Sequence, residues 1–126
     1  MGNKLGTDNL QIATLYNIIG MVYQKQGDYD KALEYYEKAL LIREKTLGLE
    51  SEDIADSYNN IGSVYYKMEK YQESLEYYLK SLMIDEKLYG TSHPITIEDY
   101  HNIGALYSLL GNWEKALEFL EKAKEL

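Results

Sequence analysis

Tyr58-Asn59-Asn60-Ile61-Gly62-Ser63-Val64-Tyr65 has a near-copy upstream, Tyr16-Asn17-Ile18-Ile19-Gly20-Met21-Val22-Tyr23, and another downstream, Tyr100-His101-Asn102-Ile103-Gly104-Ala105-Leu106-Tyr107. The copies stand 42 residues apart, so Gly20, Gly62 and Gly104 are one site written three times. Self-similarity at a fixed period of roughly 20–50 residues marks stacked supersecondary units, none of which buries its apolar face alone. Nineteen of the 42 positions in 13–54 are identical in 55–96, more than helical periodicity by itself imposes.

Outward from this stretch, apolar residues fall at Ile12, Leu15/Tyr16, Ile19/Gly20 and Tyr23. That is the i, i+3, i+4, i+7 pattern of an amphipathic helix, predicted from about Asn9 to Gln26. Gly27 suits a helix stop and Asp28 a cap for the next helix. The second helix is predicted over Tyr29–Leu47, with Ala32, Leu33, Tyr36, Ala39, Leu40 and Ile42 facing inward, and it ends at Gly48. The second copy reads as helices over Ile54–Met68 and Tyr71–Tyr89, with Glu69-Lys70 in place of Gly27-Asp28. Ser92-His93-Pro94 opens the third copy, with His93 as a capping or turn residue and Pro94 in a first turn, where a missing N–H costs nothing. Its helices are predicted over Ile95–Leu110 and Trp113–Leu126. Lys124, at the place of Leu40 and Leu82, makes the terminal face more polar, although Phe119, Leu120 and Leu126 still need cover. Leu5-Gly6 aligns with Leu47-Gly48 and Tyr89-Gly90, so residues 1–12 read as the remnant of a preceding repeat. The expectation is one array over 1–126, with repeats at about 13–54, 55–96 and 97–126.

These residues resemble the tetratricopeptide repeat family. Its signature is matched by Tyr16, Ile19, Gly20, Tyr23, Ala32, Tyr36 and Ala39, then by Tyr58, Ile61, Gly62, Tyr65, Ser74, Tyr78 and Ser81. The third set is Tyr100, Ile103, Gly104, Tyr107, Ala116, Leu120 and Ala123. The 42-residue length, the segment Ala39-Leu40-Leu41-Ile42-Arg43-Glu44-Lys45-Thr46-Leu47-Gly48, and His93-Pro94 are similar to the repeats of kinesin light chains. The resemblance implies an all-α fold, an α-solenoid of three helix-turn-helix repeats in a right-handed superhelix. First helices would line a concave groove that takes an extended peptide or a partner helix, so the implied function is a protein–protein interaction scaffold. Competing readings are a structural module that self-associates through its exposed terminal repeat faces, and a sensory array in a larger signalling protein.

Glycine inside a helix costs roughly 0.5–1 kcal/mol relative to alanine. Gly20, Gly62 and Gly104 therefore point to close helix approach, with Ala32, Ser74 and Ala116 as the small facing residues. Tyr23, Tyr65 and Tyr107 supply bulk beside them. Most of the 14 tyrosines recur at signature positions and read as packing rather than a ligand box, as does Trp113.

The opposite side of each first helix carries the candidate groove. It collects Thr14, Asn17, Ile18, Met21 and Lys25, then Asp56, Asn59, Asn60, Ser63 and Lys67. From the third repeat come Glu98, His101, Asn102, Ala105 and Leu109. The row Asn17, Asn59/Asn60 and His101/Asn102 is the informative one, because an amide both donates and accepts, as a peptide main chain requires. In kinesin light chain-like repeats similar asparagines grip cargo peptides. The alternative is that these amides hydrate an exposed face or bond between helices. Lys25 and Lys67 mark one edge and Asp56 and Glu98 the other, which suits a peptide of mixed charge. Some tetratricopeptide domains clamp the terminal carboxylate of chaperone tails with lysines and asparagines, and only Asn60 fits that arrangement.

A net charge of -8 argues against nucleic acid and anionic membranes as partners. With no cysteine there is no disulfide framework or thiolate metal site. No apolar run approaches the roughly 20 residues of a membrane span, and the N-terminus lacks a signal-peptide core. A cytoplasmic location is compatible with all of this. His93 and His101 are the only histidines, and no phosphate loop, HExxH or calcium loop occurs. Pairs such as Glu34/Lys38, at i,i+4 spacing, support exposed helix faces. The sequence offers no basis for an enzyme, a cofactor or a metal.

Overall fold

A computed structural model describes residues 2–48 and 50–124, with side chains from Asn9 onward. Six helices follow one another: α1 (Gly2–Lys25), α2 (Tyr29–Leu47), α3 (Glu52–Lys67), α4 (Tyr71–Tyr89), α5 (Pro94–Leu109) and α6 (Trp113–Lys124). Each of α1/α2, α3/α4 and α5/α6 is a hairpin, and α2 meets α3 and α4 meets α5 where hairpins stack. This is an all-α helical-repeat solenoid, with α2 and α4 bounded as the periodicity predicts.

The hairpin turn is one structure built from three sequences. Its helix ends with N–H groups of Asp28, Lys70 and Asn112 donating to the carbonyls of Tyr23, Tyr65 and Tyr107, each at 2.9 Å. The residue between sits in the left-handed region that such endings favour. Gly27 and Gly111 both have φ 82°, whereas the second repeat places Glu69 there at φ 62°. Asp28 and Asn112 then cap the following helix by accepting from the backbone N–H groups of Lys31 and Lys115, but Lys70 makes no such bond. Farther on, Ser51 caps α3, and His93 caps α5 through Nδ1, with Pro94 directly after it.

Glycine allows the helices of each hairpin to approach. A Cβ on Gly20 would stand 2.7 Å from the Tyr36 ring, one on Gly62 3.2 Å from the Tyr78 ring, and one on Gly104 2.7 Å from Leu120. Beside each contact lies a repeated aromatic stack: Tyr23 on Tyr35, Tyr65 on Tyr77, and Tyr107 on Phe119, with centroids 5.7–5.8 Å apart. Lys38, Lys80 and Lys122 lie over Tyr35, Tyr77 and Phe119 and over Tyr16, Tyr58 and Tyr100, at 4.9–5.6 Å. Lys38 also pairs with Glu34 at 3.5 Å. The core continues between hairpins, where Ile61 and Val64 pack on Ala32 and Tyr36, and Ile103 and Leu106 on Leu75, Tyr78 and Leu82.

Three expectations are corrected. The first helix does not begin near Asn9 but runs back to Gly2, straight through Gly6, whose counterparts Gly48 and Gly90 end helices. Those counterparts are followed by Ser51 and by His93-Pro94, which start a new helix, and Asn9-Leu10 does not interrupt the coil in that way. Secondly, Ile19 is 37% exposed although Ile61 and Ile103 are fully buried, because no preceding helix of the described residues covers it. Thirdly, Trp113 does not pack as Tyr29 and Tyr71 do but is 65% exposed, no later hairpin among the described residues covering it. Leu126 lies outside the described residues. Among the described residues no helix is long and apolar enough to cross a membrane.

Candidate functional site

Because α1, α3 and α5 repeat at 42 residues, their surface positions form rows: Thr14/Asp56/Glu98, Asn17/Asn59/His101, Ile18/Asn60/Asn102, Met21/Ser63/Ala105 and Lys25/Lys67/Leu109. Part of these rows lines three clefts, whereas Thr14, Asn17, Ile18, Ser63 and Leu109 line none of the three. Met21, Lys25, Asn60 and Lys67, with Gln24 and Tyr36, line one of about 450 Å³ between α1 and α3. His101, Asn102 and Ala105, with Tyr66 and Tyr78, line a second of about 310 Å³. Asp56, Asn59 and Glu98, with Pro94, Ile95 and Asp99, line a third of about 260 Å³ between the N-terminal halves of α3 and α5. The first two are equivalents of each other, since Gln24/Tyr66, Tyr36/Tyr78 and Asn60/Asn102 are 42-residue pairs. Lys25 and Lys67 do share one cleft, and Asp56 and Glu98 another, as the row assignment requires.

The amides are not all free. Asn60 Nδ2 donates to Asn17 Oδ1 at 2.9 Å, so one pair of the ladder bonds across helices, the alternative that the residues themselves left open. Gln24 Nε2 donates to Ser63 Oγ at 3.0 Å, and its Oε1 accepts from the Tyr36 hydroxyl at 2.9 Å. Burial pushes the Tyr36 hydroxyl up to about 12, which keeps its proton in place for that bond. Two side-chain bonds thus tie α1 to α3 on this surface. Among the described residues no bond links Asn59 to Asn102 in the same way, and Ala105 has no group with which to repeat the role of Ser63.

Gln24, Tyr36, Tyr66 and Tyr78 in the first two clefts, and Pro94, Ile95 and Asp99 in the third, are among the lining residues that sequence reasoning missed. Tyr36 and Tyr78 match packing positions and are buried, yet both line the clefts. Gln24 was findable, one turn from Gly20 and next to Lys25, but it does not recur as an amide.

Carboxyls dominate the third cleft. The Asp56 carboxyl is held above its ordinary value by partial burial, then by Glu52 and Asp53, while Arg43 pulls the other way. Asp99 is 2% exposed, and burial raises its carboxyl well above the usual range, with Asp85 beside it adding to the effect. Among the described residues no cluster of three candidate metal ligands occurs.

The tetratricopeptide repeat profile matches residues 11–82 and 53–126, which together take in nearly the whole chain. The chain belongs to the tetratricopeptide repeat family. A comparison with curated proteins yields no match. Among solved structures it is similar to BtubC (BKLC) from P. vanneervenii, at 28% identity and TM-score 0.81 over 88% of this chain and 44% of that one. It is also similar to a putative kinesin light chain with nearly identical repeats from Podosopora anserina, at 24% identity and TM-score 0.75 over 87% and 52%. The tetratricopeptide domain of Arabidopsis FLU aligns at 22% identity and TM-score 0.79 over 91% and 93%. The chain therefore spans about half the length of the first two. Membership of the tetratricopeptide repeat family identifies a protein–protein interaction module in general, and the likeness to these structures shows the shared fold.

Proposed function

We propose that this module holds an extended peptide across α3 and α5, with Asn59, His101 and Asn102 facing the ligand main chain and Met21, Lys25, Ser63 and Lys67 extending the surface towards α1. The observation that carries this reading is the recurrence of one cleft at 42-residue spacing, Gln24/Tyr36/Asn60 and then Tyr66/Tyr78/Asn102. Repeated pockets separated by amides match what an extended chain presents, alternating side chains on a polar backbone. Asn17 and Asn60, bonded to each other, act as a brace between helices and give the ligand only their remaining capacity. A peptide selected from a random library should lose at least tenfold in affinity when Asn102→Ala is combined with His101→Ala. Unchanged binding by fluorescence anisotropy would sink the reading.

A second reading, self-association, is favoured by the two uncovered ends. Leu15, Ile19 and Val22 are exposed on α1, and Trp113 and Leu117 on α6. Equivalent positions bury each other inside the stack, so a second copy could continue it head to tail. Light scattering that stays monomeric up to high concentration would count against this.

A further inference from the structure

We infer that the third cleft, between the N-terminal halves of α3 and α5, is a subsite for a basic side chain of the bound peptide, an arginine or a lysine. The inference rests on the peptide reading for the identity of the ligand and on the chemistry of the cleft for its charge.

Asp56, Glu98 and the buried Asp99 line the cleft, and no cation among the described residues lines it. Asp99 is 2% exposed, and no donor among the described residues reaches its Oδ2. Behind it lies Asp85 of α4, also buried, whose Oδ2 accepts from Ser81 Oγ at 3.4 Å. Asp85 shares a hydrogen bond with the Asp99 carboxyl, but a buried carboxyl oxygen left without a donor is costly unless something compensates it.

The preceding junction shows what that compensation looks like. Asp85 and Asp99 are the 42-residue equivalents of Arg43 and Ser57. There the buried Arg43 Nη1 donates to Ser57 Oγ at 2.8 Å and to the carbonyl of Asp53 at 3.1 Å. One junction therefore supplies its own guanidinium, whereas the next replaces the cation with a carboxyl and the hydroxyl with another. Pro94 and Ile95 add an apolar wall along which the methylene stem of lysine or arginine can lie. Asn59 sits at the rim, where it can accept from the same cation.

The groups facing Asp99 are the carboxyls of Asp85 and Glu86 from α4 and of Glu98 from its own helix, each of which raises its value further. Across the cleft Asp56 is influenced by Glu52, Asp53 and Asp85, and by Arg43 as the one cation. Without a cation in the cleft, burial and the neighbouring Asp85 favour a proton on Asp99. An arriving cation displaces that proton to solvent, so affinity for it rises as pH rises from about 6 to 8.

The probes are N-acetyl-arginine methylamide and N-acetyl-lysine methylamide, with the neutral isostere N-acetyl-citrulline methylamide as control, titrated into the full 15N-labelled chain by NMR. The expected result is saturable shifts at residues 56, 59, 95, 98 and 99, at least tenfold weaker for citrulline and at least fivefold weaker in Asp99→Asn. Glu98→Gln, at an exposed position that the fold does not need, should weaken binding about threefold, and Glu121→Gln on α6 should change nothing. Equal binding of the citrulline probe, or shifts spread over the acidic surface and indifferent to Asp99→Asn and Glu98→Gln, would overturn the subsite. These probes carry no extended backbone. If they bind the cleft while His101→Ala/Asn102→Ala leaves library-peptide affinity intact, the peptide reading fails and the subsite stands; the reverse pattern removes the subsite alone.

Discussion

Glu69 holds a conformation that its counterparts leave to glycine. A left-handed residue with a Cβ is strained by roughly 1–2 kcal/mol, and glycine gives back about 0.4–1 kcal/mol through a freer unfolded chain. Glu69→Gly should therefore stabilise by about 0.5–1 kcal/mol, seen as a rise of a few degrees in the CD melting temperature. Lys70→Asp, restoring the cap seen at Asp28, should add about 1 kcal/mol. Alanine at the helix-crossing glycines works the other way, because the space is filled. Gly20→Ala meets a buried Tyr36 ring tethered by its hydroxyl and should cost about 1–3 kcal/mol. Gly62→Ala, with 3.2 Å to give, should be the mildest of the three in urea melts. These glycines were legible in the sequence because a residue that weakens a helix three times over needs a packing reason.

Between elements, the two junctions differ in the sign of their buried charge, and pH separates them. Asp99 is raised in the folded state, so between the ordinary carboxylate value of about 4 and its own raised value the folded chain binds the extra proton. Stability must then fall as pH rises through that window. Urea denaturation at pH 5 and pH 8 should show this loss in the natural chain and a much smaller one in Asp99→Asn, which keeps the shape without the charge. Removing Arg43 as Arg43→Met should cost about 1.5–3 kcal/mol, the range for hydrogen bonds from a charged group.

Helix limits in the middle of the chain could be read from periodicity and glycine, and α2 and α4 match to the residue. The junction chemistry could not, since repeat identity leads one to expect like residues where Arg43 and Asp85 stand. The Asn17–Asn60 bond also escaped, because a helical wheel places residues on a face but does not say which rotamers meet across to a neighbour. The candidate rows were legible as rows, and which of them stay open to a ligand was not.

At the scale of the whole molecule, the middle hairpin is the one covered on both sides among the described residues. In a linear stack, stability is the sum of each unit and its neighbours, so amide exchange should be slowest in α3 and α4 and fastest in α6. Deepening the asymmetry with Leu117→Asp should speed exchange in α6 while leaving α3 nearly unchanged. Across the inner wall, α1 and α3 are laced by Asn60–Asn17 and Gln24–Ser63, while α3 and α5 lack the equivalent laces among the described residues. Between α3 and α5 a guest therefore meets no side-chain latch to break among the described residues, while Tyr100 and Thr96 of α5 stay fastened to Glu86 and Asp85 of α4 behind it.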